Sequence, residues 1–192
     1  MSIEFSDTHW HSYDVDGDSL AAVADAILQM DEAAKTEWFP RYEYTVSEGQ
    51  ITSATVVVRT SVAMPRWRGY AAAPPAEKDE WDRFWAALSA HEQGRIELVV
   101  QHLSNIDEQL VGNSPAAAEW SWQQALETLK SASEDYDREA DHGRNQRTSL
   151  DVSGAVPLQR NLAEQRRYRL LTNALRSLLE SLRKHAQTAR PD

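Results

Sequence analysis

A chain of 192 residues with 41% hydrophobic side chains is long enough to bury a core as one compact body. Its 30 acidic residues outnumber 20 basic ones, and the formal net charge of −10 argues against nucleic acid and anionic membranes as partners. There is no cysteine, which excludes disulfides and thiolate metal sites, and no run of roughly eighteen apolar residues of the kind that spans a bilayer.

Met1 to Trp10 holds no apolar run after a basic start, so it does not read as an export signal and the expected compartment is the cytoplasm. Thr8 to Val15 is expected as a strand, and Asp18 to Met30 as a helix opened by an Asp/Ser cap. His9 and His11 stand two apart, on one face of such a strand. That spacing suits a metal, although paired surface histidines are more often incidental. Arg41 to Ser47 and Ile51 to Ala63 flank Glu48-Gly49-Gln50, and the run Thr55-Val56-Val57-Val58 with alternating neighbours is a hairpin pattern. The fold class expected from this start is α+β, with a small mixed or antiparallel N-terminal sheet.

Ala71-Ala72-Ala73-Pro74-Pro75 breaks the chain, and a helical pattern then runs from Lys78 to Val111. Trp81, Phe84, Leu88, Ile96, Val99, Leu103, Ile106 and Leu110 keep its three/four spacing. His91, Arg95 and His102 fall on or beside this stripe, which turns them toward protein or a cleft. Gly112-Asn113-Ser114-Pro115 combines C-cap and N-cap chemistry. A second helix, Ala116 to Asp141, is expected to run back antiparallel and bring Tyr136, Asp137 and His142 near one end of the first. Gly143 to Pro157 reads as a loop with a short strand at Ser149 to Val152. A last helix, Leu158 to Ala186, carries a basic excess on an otherwise acidic chain. The expected division is therefore residues 1–157 as the main domain and 158–192 as a basic helical extension. The leucine stripe of that extension is either core or a homodimer surface.

The stretch with the most chemistry is His91-Glu92-Gln93-Gly94-Arg95. In H-E-x-x-H, positions i and i+4 lie on one helix face, so two imidazoles grip one Zn²⁺ and the glutamate acts as general base on the bound water. Arg95 stands at the second histidine, and a guanidinium has no lone pair to give a metal. Read plainly, His91 is a hydrogen-bonded core histidine, and Arg95 is an ion-pair partner for Glu92, Asp137, Glu139 or Asp141. His142 is then a C-cap beside Gly143. Trp67, Trp81 and Trp85 are either core or the lining of an aromatic pocket.

Four stretches occur in a fixed order: Tyr13-Asp14-Val15-Asp16-Gly17-Asp18-Ser19, then Met64-Pro65-Arg66-Trp67, then Trp81 to Ala90 leading into HEQGR, and then Tyr136-Asp137-Arg138-Glu139-Ala140-Asp141-His142-Gly143. Across residues 10 to 146 this order resembles the bacterial "predicted secreted zinc-dependent protease" family, domain of unknown function 922, with its Y-D-V-x-G-x-S opening, L-P-x-W strand end and Y-D-x-x-T-x-H-G segment. The resemblance implies a zincin-like fold with His91 as first zinc ligand, Glu92 as general base and His142 as third ligand. The chain departs from that pattern at Arg95, at Ala140 in place of threonine, and in its N-terminus.

The expected function is therefore a degenerate zinc-peptidase-like domain that binds a peptide or protein partner with little or no zinc-dependent cutting. Zincin-like folds imply a groove beside Ile51 to Ala63, and Trp67, Trp85, Tyr136 and Asp137 are the expected binding residues. No cofactor is expected, with zinc on His91 and His142 as the alternative. A metal-independent enzyme would instead use Glu92 and His91 as acid and base on a small molecule or modified peptide, with Arg95 stabilising an anion. An active zinc protease would need His91, His142 and a carboxylate such as Asp137 or Glu139.

Overall fold

The computed structural model describes residues 2–140 and 143–153. The chain divides into two units, Met1–Val152 and Ser153–Asp192, and the elements below belong to the first. His142, the helix expected at 158–186 and the boundary expected at 157/158 lie outside the described residues.

The fold is α+β and is organised around one long strand. β3 (Lys35–Ser47) and β4 (Gln50–Trp67) form an antiparallel hairpin. Its turn is the two-residue loop Glu48-Gly49, both with positive φ (52° and 80°), the requirement of the tight turn that matches strand twist. β1 (Ser2–Phe5) and β2 (His9–Val15) line up end to end along the other side of β4, both parallel to it. Thr8 Oγ1 meets Thr60 Oγ1 at 2.7 Å at their junction. β4 is thus interior, and the sheet is mixed.

Alternation along β4 buries Ala54, Val56, Val58, Val62 and Met64 on one face and leaves Thr55 and Arg59 exposed on the other. Helices cover the buried face. α2 (Pro75–Leu103), α3 (Ile106–Leu110) and α4 (Pro115–Glu139) contribute Val99, Leu103, Ile106, Leu110, Trp122 and Leu129 to a core shared with Ile51, Val56 and Val58. α1 (Leu20–Leu28) is capped by Ser19, whose hydroxyl accepts from the Ala22 amide, and it buries Leu20 and Val23.

Several boundaries differ from expectation. β1 was not foreseen, and β3 starts at Lys35, well before Arg41. Pro40 argues against a strand, but β3 is an edge strand, where the missing N–H is tolerated. The helix expected to Val111 breaks at Ser104-Asn105, and the apolar spacing continues across the break because α3 returns Ile106 and Leu110 to the same core. Ser149 to Val152 form no strand. The Gly112 to Pro115 corner forms as expected: Gly112 has φ 82°, Ser114 caps α4, and the Gly112 amide donates to the Ile51 carbonyl while the Ile51 amide donates to the Asn113 carbonyl, which fixes the corner to β4.

Candidate functional site

α2 runs across the sheet beside α4, and the two helices bring the motif residues together with the Tyr136-Asp137 pair. His91 and Glu92 are buried, at 4% and 1% exposure, as an apolar stripe predicts for side chains on its inner face. No buried side-chain polar atom among the described residues lacks a partner.

Arg95 is at the centre. Its Nε donates to Asp137 Oδ1 at 3.0 Å and its Nη2 to Oδ2 at 2.7 Å, a two-pronged pair that matches the planar guanidinium. Nη1 lies 3.6 Å from Glu92 Oε2, and Nη2 lies 3.7 Å from Glu32 Oε1. Burial works to lower the Arg95 pKa. The charge of Glu92, the hydrogen bond to Asp137 and the charges of Asp137 and Glu32 together outweigh it and hold the group above its ordinary value.

Each neighbour is itself held. Thr36 on β3 donates to Glu92 Oε2 at 2.6 Å, so this carboxylate is bound from the sheet as well as facing the arginine. His91 Nε2 lies 3.4 Å from Asp137 Oδ1, and Nδ1 lies 2.8 Å from Gln146 Oε1. Gln146 donates its amide to the Tyr136 hydroxyl at 3.3 Å, which makes Oε1 the acceptor and places a proton on Nδ1. The Tyr136 ring stacks on the His91 ring at 5.1 Å, and its hydroxyl donates to the His91 carbonyl at 3.3 Å. Gly94 allows this approach, because a Cβ there would collide with the Tyr136 hydroxyl.

Among the described residues, which do not include His142, the donor set around His91 does not fit zinc. His91 Nε2 and Asp137 both point into the site, but the space among Asp137, Glu92 and Glu32 is filled by a guanidinium that already satisfies those carboxylates. Among the described residues, no three His, Asp or Glu side chains are grouped to hold a metal ion. A cleft of about 740 Å³ reaches the site and is lined by Glu32, Lys35, His91, Glu92, Arg95 and Thr148.

The sequence-derived residues divide into two places. Glu92, His91, Arg95, Tyr136 and Asp137 form the cluster above. Trp67 and Trp85 line a second cleft that shares no residue with the first. His9 and His11 stack at 5.4 Å on an exposed part of β2, apart from the motif cluster, and His11 lines the second cleft. The groove beside Ile51 to Ala63 is corrected by the sheet: those residues are paired with β3 throughout, and with β1 and β2 over most of the other side. Thr36, Gln146 and Glu32 were not anticipated. Nothing local marks them, since each reaches the site only through the fold. Gly94 did carry a signal, as a glycine inside a helical pattern points to a close approach.

In a scan of known families, residues 10–143 match a model described as a bacterial protein of unknown function (DUF922). No curated protein and no solved structure matches the chain.

Proposed function

As the chain belongs to this DUF922 family of bacterial proteins of unknown function, we propose that it is a metal-free relative of zinc-peptidase-like domains that binds a peptide or protein partner without cutting it. The observation that carries this reading is the Arg95 guanidinium, lodged among Asp137, Glu92 and Glu32 at the position where H-E-x-x-H has its second histidine. A positive charge there does the electrostatic work of a cation on the surrounding carboxylates but supplies no activated water. Glu92, bonded to Thr36 and 1% exposed, is held as a structural anion and is poorly placed as a general base toward bulk substrate. No helix among the described residues is long and apolar enough to cross a membrane.

The test is metal content and peptide hydrolysis for protein purified without chelator and without a histidine tag, alongside His91→Ala and Arg95→His. The expected result is wild type free of zinc and inert toward a peptide mixture, with Arg95→His gaining metal. Stoichiometric zinc in the wild type, lost in His91→Ala, overturns the reading and favours the zinc protease.

A second reading draws on the cleft of about 740 Å³ that His91, Glu92 and Arg95 share with Lys35 and Thr148. There a metal-independent enzyme would use His91 and Glu92 as acid and base. Turnover abolished by Glu92→Gln in a folded protein would select it. Partner binding unaffected by that change selects the first.

A further inference from the structure

The second cleft has a volume of about 960 Å³. Met64, Pro65 and Trp67 line it from the end of β4, Trp81 and Trp85 from α2, and Trp10 from β2. Its inner walls are fixed: Trp67 Nε1 donates to the Gly17 carbonyl at 2.7 Å, and its ring packs on Trp81 at 5.7 Å. Its outer walls are open, with Trp10 and Trp85 each 40% exposed. Large aromatics left in solvent around a preformed hollow are a recognition surface more than a core.

Two charged side chains of opposite sign line this groove, Arg66 and Asp82. Arg66 is engaged by Asp14 at 2.6 Å. Asp82 accepts the Tyr70 hydroxyl at 2.9 Å and has no ion-pair partner among the described residues. What remains is a carboxylate beside indole faces, and both attract a cation. Lys78 Nζ lies 5.6 Å over the Tyr70 ring and donates to the Ala71 carbonyl, and it does not line the groove.

The groove borders a sheet edge. β2 pairs with β4 on one side, and no described strand covers its other side, which leaves a row of backbone donors and acceptors. Trp10, His11 and Ser12 line the groove from this strand. A strand added to β2 would turn every second side chain the same way.

We propose that the β2 edge and the aromatic groove together dock an extended, basic segment of a protein partner, whose backbone adds to β2 while an arginine or lysine side chain lies between Trp10 and Trp85 against Asp82. This rests on the partner-binding reading above and moves the bound strand from β4, which is paired, to β2.

The test titrates the full chain with a dye-labelled, blocked peptide of alternating valine and arginine. It is compared with the same peptide carrying glutamate for arginine and with one N-methylated at alternate backbone positions. The expected result is saturable binding of the basic peptide about tenfold tighter than of the acidic one, and weakened about fivefold or more by N-methylation, by Trp85→Ala and by Asp82→Asn. Both substituted side chains are exposed, so the variants should keep the wild-type circular dichroism and melting temperature. No saturable binding, equal affinity for the acidic peptide, or no effect of Trp85→Ala overturns the proposal. So does a concentration-dependent dimer that Trp85→Ala abolishes, which assigns the groove to a second copy of this chain. Mass spectrometry of the mixture separates the two levels: peptide bound but cut sinks the non-cutting reading and leaves the docking site, whereas peptide intact and unbound sinks the docking site alone.

Discussion

Arg95 on α2 and Asp137 on α4, 42 positions apart in the chain, meet through two near-parallel hydrogen bonds of 3.0 and 2.7 Å. The pair joins the two long helices, and with side chains only 12% and 18% exposed it is largely shielded from water.

Breaking the pair from either side leaves a shielded charge without its partner. Asp137→Ala and Arg95→Ala are each expected to lower unfolding free energy by about 3 kcal/mol, the double variant losing less than the sum. Urea unfolding with all four proteins measures this. Additive losses would mean that the pair is not coupled.

Thr36→Val removes the hydroxyl that donates to Glu92 while keeping side-chain shape. A buried carboxylate deprived of a donor is expected to cost about 1 to 3 kcal/mol, with Thr36→Ser near wild type. Thermal melts of the two variants decide it, and equal melting temperatures would show that Arg95 alone satisfies Glu92.

Gly94→Ala normally favours a helix by about 1 kcal/mol. Here the sign is expected to reverse, because the added methyl collides with Tyr136 and disturbs its stacking on His91. A lower melting temperature, together with a shifted His91 ring resonance in NMR, is the expected result.

Glu80 gives the fold an acid-sensitive tie. The Arg83 side-chain hydrogen bond, against an opposing effect of burial, and the donation from the Asp151 amide hold its carboxyl below the ordinary carboxylate value. A depressed carboxyl adds stability that is complete above its unfolded pKa and lost as pH falls through the folded one. The same residues hold the segment after α4, since Arg83 also donates to the Arg147 and Ser149 carbonyls. Stability measured from neutral pH down through the carboxylate range is expected to fall less steeply for Glu80→Gln than for wild type. Equal slopes would remove Glu80 from the account.

What could be read from the chain depended on range. The hairpin at Glu48-Gly49, the stripe from Trp81 to Leu110 and the Gly112 to Pro115 corner are local patterns of turn chemistry and period, and each formed. The Arg95 pairing was legible too, because a helix spacing put the guanidinium among known acids. The sheet order was not. Val56 and Val58 pair with β1 and β3 at once, and no local rule reports that a strand has partners on both sides. For the same reason Trp67 and Trp85 could be named as binding residues but not assigned to a groove separate from His91. Thr36 and Gln146 reach the site from a strand and a short 3-10 turn remote in sequence, so nothing near either residue marks it.

The interior position of β4 also sets an order of assembly. The β3–β4 hairpin closes across a two-residue turn and is available early, whereas Ser2 pairs with Thr55 and Val15 with Trp67, partners more than fifty residues downstream. During synthesis the N-terminal strands emerge first and must wait, unpaired, until the chain has been made past Trp67. β1 and β2 are therefore made well before the strand they pair with, and β2 carries its open edge and Trp10 through that interval.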